Sequence, residues 1–157
     1  MAVTEGRKGK VTVRTTGGTV TVSEQGKWGI KGWQRSMIEH SAFQDTAKKF
    51  TPSILDPGSI DWDGYFDPSN SSGQMKLIQA FTSGKPICNS SVYKLRKMRF
   101  WGNTDTSLGN KGFWSATGSS AYLYLTDIQV GQDKAGLGTI SFTAKVSGGV
   151  LAWSCST

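Results

Sequence analysis

The sequence has few of the residues from which catalytic and metal sites are built. Its single histidine is His40, and its two cysteines, Cys88 and Cys155, lie far apart along the chain. A zinc site needs four well-spaced ligands, and a nucleophilic triad needs a base near a serine or cysteine motif, so neither is indicated. The sequence also has no phosphate-binding loop and no dinucleotide-binding glycine motif. We therefore expect no catalytic residue, no metal and no cofactor.

A long apolar run is also lacking. The N-terminal stretch MAVTEGRKGK has none of the apolar character of a signal peptide, and the longest apolar block, AYLYL, has the length of a strand. We therefore expect no membrane partner. We also expect a protein that is made in a cytosol-like compartment, where both cysteines stay reduced.

Acidic residues are scarcer than basic ones. Eighteen Lys and Arg against eleven Asp and Glu give a net charge of +7. From residue 105 onward acids and bases balance, so the excess lies in the earlier part of the chain. Such an excess permits a nucleic-acid or anionic partner. It is equally typical of a solvated basic surface or of complementary charges at a protein interface.

Short alternating segments rich in Val, Thr and Gly predict a mainly β protein. KVTVR and TVTVS alternate and predict a hairpin, and TISFTAKV alternates in the same way. The segment SIDWDGYF predicts a half-buried strand whose aspartates lie on its wet face. We expect one domain over residues 1–157, with about eight short strands in a β-sandwich or barrel and one flanking α-helix.

Two further segments are set apart from the strands. The apolar residues of QMKLIQAF recur at helical spacing, which predicts a helix over about residues 72–82 that ends near Gly84. The stretch HSAFQDTAKKFTPSILDPG has no clean period and ends in a turn signal, which predicts a long loop over about residues 40–58. Loops of that length in compact proteins generally have a function.

The aspartates Asp61, Asp63 and Asp67 do not fit a calcium loop. Such a loop needs glycine at its sixth position and a bidentate glutamate at its twelfth, and this sequence has neither in register. Paired carboxylates of a glycosidase remain an alternative, with Glu39 or Asp127 as a distant partner. Acids on the wet face of a strand are the simpler interpretation.

The segment YKLRKMRFW is the best candidate for binding nucleic acid. Its four bases lie among aromatic residues, a mixture that grooves for single strands use; they are Lys94, Arg96, Lys97 and Arg99. These bases alternate onto both faces of a strand and so do not form one stripe. A wet edge strand, or a strand that pairs with a neighbouring subunit, explains them equally well.

The middle of the chain resembles the tail tube proteins, or major tail proteins, of long-tailed, non-contractile bacteriophages. The matching stretch is GKWGIKGWQRSMIEHSAFQDTAKKFTPSILDPGSIDWDGYFDPSNSSGQMKLIQAF. Its features are the loop Ser41–Asp45, the turn Phe66-Asp67-Pro68 and the helix from Gln74 to Phe81. The stretch LYLTDIQVGQDKAGLGTISFTAKVSGGVLAW resembles the last hairpin of the same family.

The resemblance implies a structural virion protein with a tail-tube-like fold. Copies of it would close into hexameric rings by continuing their sheets, and the rings would stack into a tube through which DNA is ejected. Its partners would be further copies of itself and the tail-tip, tape-measure and tail-terminator proteins. DNA would pass through the lumen without specific binding. The protein would lie in the virion tail, and in the host cytoplasm before assembly.

The resemblance also suggests roles for particular residues. The long loop would contact the adjacent ring through His40, Phe43, Asp45, Lys48, Lys49, Phe50, Ile54 and Leu55. Because each neutralised phosphate strengthens binding, a sliding channel should be acidic or neutral. Thr139, Ser141 and Thr143 are therefore a possible lumen face, although Lys145 lies on the same face. The bases Lys94, Arg96, Lys97 and Arg99 are expected outside the tube or between subunits. Asp61 and Asp63 are expected to pair with the lysines of a neighbour.

Three other functions are compatible with the sequence. One is a monomeric β-sandwich or OB-like module that binds nucleic acid or carbohydrate. Another is a glycosidase. The third is the tube protein of a contractile tail or of a type VI secretion system, which shares the fold.

Overall fold

The structure is a computed structural model that describes residues 10–22, 25–69, 73–88, 95–103, 112–118, 120–132, 134, 136 and 138–155. These residues form one helix and a series of strands. The helix α1 spans Gly73–Thr82, and the strands are β1 (Lys10–Thr15), β2 (Gly18–Val22), β3 (Gln25–Lys31), β4 (Gln34–Glu39), β5 (Phe50–Asp56), β6 (Ser59–Tyr65), β7 (Ile87–Cys88), β8 (Leu95–Asn103), β9 (Gly112–Thr117), β10 (Tyr122–Gln132), β11 (Gly138–Ser147) and β12 (Val150–Cys155).

The strands form two five-stranded antiparallel sheets and one separate hairpin. The first sheet has the order β12-β9-β8-β1-β2, and the second has the order β3-β6-β11-β10-β7. Strands β4 and β5 pair only with each other among the described strands. The predicted mainly β fold with one flanking helix is confirmed.

The two five-stranded sheets face each other across one hydrophobic core. Alternate residues of each strand point inward, so Val11 and Val13 of β1 lie opposite Ile60 and Trp62 of β6 in the same buried cluster. The indole of Trp62 stacks on Phe142 with ring centroids 5.1 Å apart. It also meets Phe100 of the facing sheet edge-on at 5.2 Å. Burying each such side chain contributes about 1.5–3 kcal/mol.

The helix packs against both sheets through β2 and β10. Leu77 and Ala80 are buried on its inner face. It ends where predicted, because Gly84 adopts a φ of 65° and the Lys85 N–H donates to the carbonyl of Ala80 at 3.0 Å. No helix in the described part of the chain is long and apolar enough to cross a membrane.

The middle of the chain differs from the sequence predictions in two ways. One glycine break was not predicted: Gly32 adopts a φ of 70° and separates β3 from β4. The stretch predicted as a loop over about residues 40–58 is a strand in its second half, since β5 pairs with β4. Because of both differences, the structure has more strands than the alternation predicts, which is about eight.

A buried amide fixes the turn between β6 and α1. The Gln74 side chain is fully buried, donates to the carbonyl of Tyr65 at 2.7 Å and accepts from the Asp67 N–H at 2.9 Å. Gln74 therefore satisfies one backbone group at the end of β6 and one in the turn that follows it. Sequence periodicity places Gln74 on the inner face of the helix but does not reveal these bonds.

We predict that Gln74→Leu lowers the free energy of unfolding by about 2–4 kcal/mol, because it leaves two backbone groups without their partner. The measurement is urea unfolding followed by tryptophan fluorescence. Gln79→Leu on the exposed face of the same helix is the matched control and should change stability by less than about 0.5 kcal/mol. Equal effects of the two substitutions would contradict the role assigned to Gln74.

Candidate assembly surfaces and bore lining

Strands β4 and β5 and the connecting residues 40–49 form an arm that carries exposed apolar side chains. The strands pair in antiparallel register, with Met37 opposite Pro52 and Glu39 opposite Phe50. Large apolar side chains are exposed along the whole arm: Met37, Ile38, Phe43, Phe50 and Ile54. A two-stranded hairpin is marginally stable in water by itself. The arm therefore has the composition of a surface that another molecule covers.

Both faces of the arm carry apolar residues. Because side chains alternate along a strand, Met37 and Phe50 share one face while Ile38 lies on the other. The pairing shifts between Arg35 and Met37, where β5 contains one residue more than β4. Such a bulge bends and twists a hairpin. The arm can therefore contact partners on two sides.

Hydrogen bonds within the tip fix the position of Phe43. The Asp45 carboxylate accepts from the Ala42 N–H at 2.7 Å and pairs with the Lys49 ammonium. The Lys49 N–H donates to the Ser41 hydroxyl at 2.8 Å. The Lys49 hydrogen bond, and then that from Ala42, lower the pKa of Asp45 below its ordinary value of 3.8. Phe43 lies fully exposed inside this framework.

The residues predicted to contact the next ring fall into two groups. Asp45, Lys48 and Lys49 form ion pairs within the arm, Lys48 with Glu39 at 3.2 Å. His40 is also held within the arm, because its Nδ1 lies 3.1 Å from the Thr51 hydroxyl. Phe43, Phe50 and Ile54 are exposed, and Leu55 is half-buried. The polar residues thus shape the arm, and the apolar ones remain available to a partner.

Two glycines form the base of the arm. Gly32 and Gly58 have φ values of 70° and 74°, and a Cβ at Gly58 would lie 2.3 Å from the carbonyl oxygen of Lys31. Only glycine permits this approach where β3 and β6 pass into the arm. The indole of Trp33 meets Trp114 of the first sheet edge-on at 5.8 Å, which ties the base to the sandwich. This contact was not predicted, and the Gly32-Trp33 pair is its only trace in the sequence.

The second sheet turns a polar face away from the core. Register places Ser141 opposite Asp63 and Thr143 opposite both Asp61 and Asp127. The polar face comprises Lys27, Lys31, Asp61, Asp63, Asp127, Gln129, Thr139, Ser141, Thr143 and Lys145. The three hydroxyl residues predicted for the lumen therefore lie on the central strand of this face, whose two ends carry the exposed Tyr65 and Tyr124.

Charges on the polar face are paired within the chain. Lys31 contacts Asp61 at 2.6 Å and Lys27 contacts Asp63 at 3.6 Å, both between β3 and β6. The expectation that these aspartates need a neighbour's lysines is corrected, because β3 of the same chain supplies the lysines.

The cation on the hydroxyl-bearing strand β11 is paired too. The Lys145 ammonium donates to Asp56 at 2.9 Å. This hydrogen bond, followed by one from the Gly58 N–H, lowers the pKa of Asp56. Lys145 thus does not leave the polar face with an excess positive charge.

The basic strand lies on the opposite side of the sandwich. Lys94 and the side chain of Arg96 fall outside the described residues, whereas Lys97 and Arg99 point away from the core on the outer face of the first sheet. Two of its aromatic neighbours are not available for stacking on bases, since Phe100 is in the core and Trp101 is 6% exposed; Tyr93 lies outside the described residues. The described part of this strand therefore lacks a stacking platform for single-stranded nucleic acid.

Each described carboxylate accepts a hydrogen bond or forms an ion pair within the chain. No three of the described His, Cys, Asp and Glu residues cluster as metal ligands. A glycosidase needs a carboxylic acid whose pKa is raised. The shifts at Asp45 and Asp56 are both downward, and Asp61 and Asp63 are each bound to a lysine.

Solved structures with similar folds come from tails and injection machines. The tail of an empty gene transfer agent particle, refined with C6 symmetry, superposes with a TM-score of 0.66 at 11% identity and covers 98% of this chain and 100% of its own. The tail tube of SPP1 gives 0.59 at 15% identity, covering 99% and 82%. A sheath–tube complex of the extracellular contractile injection system PVC gives 0.63 at 10% identity, covering 95% and 89%. No protein-family model matches the sequence, and no curated protein sequence matches it. The chain has the fold of tail tube proteins.

We predict that the Ala42 amide resonance titrates with Asp45 at a midpoint below pH 3.8, because the lowered pKa keeps Asp45 charged. The hydrogen bonds of the tip are then complete above the ordinary pKa and are lost as the pH falls through the lowered value. The measurement is a pH series of proton–nitrogen correlation spectra.

Lys49→Gln should move that midpoint up toward 3.8, since Lys49 is the largest cause of the shift. Lys48→Gln is the matched control, because Lys48 pairs with Glu39 instead. A midpoint that both substitutions move equally would show that general charge, and not the Lys49 bond, holds the tip.

Proposed function

We propose that this chain is a structural subunit whose copies form rings, and that the rings stack into a tail tube that conducts DNA. The observation that carries the proposal is the arm, which presents Phe43 and Ile54 to solvent on a framework ordered by its own hydrogen bonds. A monomer gains nothing from such a surface, whereas a stacked ring would bury it. The likeness to tail and tube structures supports the same role.

Ring closure would use the two free edges of the second sheet. Among the described strands, β3 pairs with β6 alone, so its other edge is open. The described residues of β7 pair with β10 only at Tyr122 and Leu123, so the rest of that edge of β10 is open too. The order β3-β6-β11-β10 alternates in direction, so β3 of the next copy would lie antiparallel to β10. Each ring would then contain a closed barrel without exposed edges.

Charge supports the same junction. Asp127 lies on the β10 edge of the polar face and bonds Gln129 at 2.8 Å. Lys27 and Lys31 lie on the opposite, β3 edge. Closing the ring would bring this aspartate beside the lysines of the next copy. The proposed ring is hexameric, in keeping with the C6 symmetry of the similar gene transfer agent tail.

The polar face would line the bore. Its described charges, Lys27, Lys31 and Lys145 against Asp61, Asp63 and Asp127, balance, and Thr139, Ser141 and Thr143 lie among them. A balanced hydroxyl-rich wall would not bind phosphates through counterion release, so DNA could slide. Thr139, Ser141 and Thr143 are therefore proposed as lumen residues.

The remaining partners and location follow from a role in a tail. The tube would meet a tail-tip protein at one end and a terminator at the other, with a tape-measure protein inside during assembly. Its place would be the virion tail, after synthesis in the host cytoplasm, and its role would be structural and not enzymatic. Tubes of contractile machines share this fold, so assignment to a non-contractile tail rests on the sequence resemblance.

We predict that Phe43→Ser raises the protein concentration needed for stacked tubes by about tenfold or more, while rings still form. Burying a phenylalanine contributes about 1.5–3 kcal/mol, and 1.4 kcal/mol is a tenfold change in an equilibrium. Negative-stain electron microscopy and sedimentation over a concentration series measure it.

Phe81→Ser is the matched control, because Phe81 is an exposed phenylalanine on the helix. It should leave the tubes unchanged. Rings of Phe43→Ser that stack like the wild type would remove the arm from the stacking contact. A wild-type protein that stays monomeric at every concentration would favour the monomeric binding module.

A further inference from the structure

Among the described side chains, the outer face of the first sheet carries four basic residues and no acidic one. Lys10, Arg14, Lys97 and Arg99 alternate with the core residues of β1 and β8 and point outward. The described residues of β1, β2, β8, β9 and β12 include no Asp or Glu. We name Lys10, Arg14, Lys97 and Arg99 the basic face. It holds four of the 18 basic residues of the chain.

The cations of the basic face lie close together, and none of them pairs with an acid among the residues that the structure describes. Arg14 is directly opposite Lys97 in the ladder between β1 and β8. Burial, followed by the charges of Arg99 and Arg14, lowers the pKa of Lys97. The buried Nε of Arg99 has no hydrogen-bond partner among the described residues. Like charges directly opposite each other on a sheet are destabilising. A partner that brings carboxylates to this surface would relieve the repulsion.

Aromatic contacts hold two of these cations in place. The Arg99 guanidinium lies 4.6 Å from the ring centre of Phe113, and the Lys10 ammonium lies 5.4 Å from that of Trp101. The Trp101 indole in turn donates to the buried Thr12 hydroxyl at 2.9 Å. The positive charges are therefore positioned before any partner binds, which lowers the entropy cost of binding.

Two kinds of partner fit the basic face poorly. Phe113 and Trp101 are covered, so neither of these rings is available for nucleobases to stack on. The described part of a second copy has few carboxylates to offer, because five of its seven acids already form ion pairs: Glu39, Asp45, Asp56, Asp61 and Asp63. The polar face and the basic face also point in opposite directions, so DNA in the bore would not reach the latter.

We infer that the basic face is a docking surface for an acidic surface of a different protein. Its location on the outside of the tube rests on the proposed function, whereas its preference for carboxylates rests on the charges alone. Electrostatic complementarity of this kind would direct the partner to the tube and set its orientation.

The test measures binding of the full chain to a fluorescein-labelled peptide of about ten glutamates by fluorescence anisotropy at low ionic strength. The double variant Arg14→Gln, Lys97→Gln should weaken binding about fivefold to tenfold, as expected for the loss of two partly exposed ion pairs. The matched control is Lys76→Gln, Lys85→Gln, which removes the same charge at the helix and should leave binding nearly unchanged. Electron microscopy should show that the first variant still assembles like the wild type.

Four results would overturn the inference. The first two are that the peptide does not bind, or that both double variants weaken peptide binding equally. The third is that a DNA duplex of about 20 base pairs binds more tightly than the peptide through the same residues. The fourth is that Arg14→Gln, Lys97→Gln alone loses assembly. The peptide measurement uses the dilute subunit. Failure of the proposed tube and failure of this docking surface are therefore read separately.

Discussion

The contact of Trp62 with both sheets holds the sandwich together, and the rest of the molecule depends on the strand that carries it. Trp62 stacks on Phe142 in its own sheet and meets Phe100 of the facing sheet. Because side chains alternate along a strand, burying Trp62 places Asp61 and Asp63 on the polar face. A shift of the strand register by one residue would put both carboxylates in the core, at a large cost in free energy. The core thus fixes the position of the polar surface.

The same strand leads into the arm through Gly58, so the arm is a continuation of the second sheet that leaves it at a glycine corner. The arm shares no ladder with the other described strands and exposes its apolar side chains. A two-stranded hairpin is only marginally stable alone. Here ion pairs and hydrogen bonds at the tip stabilise the arm in place of a hydrophobic core. The arm is built for contact outside its own subunit.

Charge is separated between the two outer faces of the sandwich. On the second sheet each lysine of β3 lies beside an aspartate of β6, and short-range pairing leaves little net field. On the first sheet the bases have no acid within their own strands. Four positive charges, those of Lys10, Arg14, Lys97 and Arg99, are therefore collected on one outer surface. Such separation lets one surface pass a polyanion while the other attracts acidic partners.

The sequence by itself determined the mainly β fold, the single helix with its end at Gly84, and the wet position of Asp61 and Asp63. These are local properties, because the alternation of a strand, the period of a helix and the freedom of glycine all act over a few residues. Only the tertiary structure decided that residues 50–56 pair with 34–39 and that Lys27 and Lys31 neutralise the aspartates. It alone also collected Arg14, Lys97 and Arg99 on one face. Each of these features depends on which strands become neighbours in a sheet. Strand pairing joins residues that are distant along the chain, and the local sequence carries no signal that specifies the partner strand.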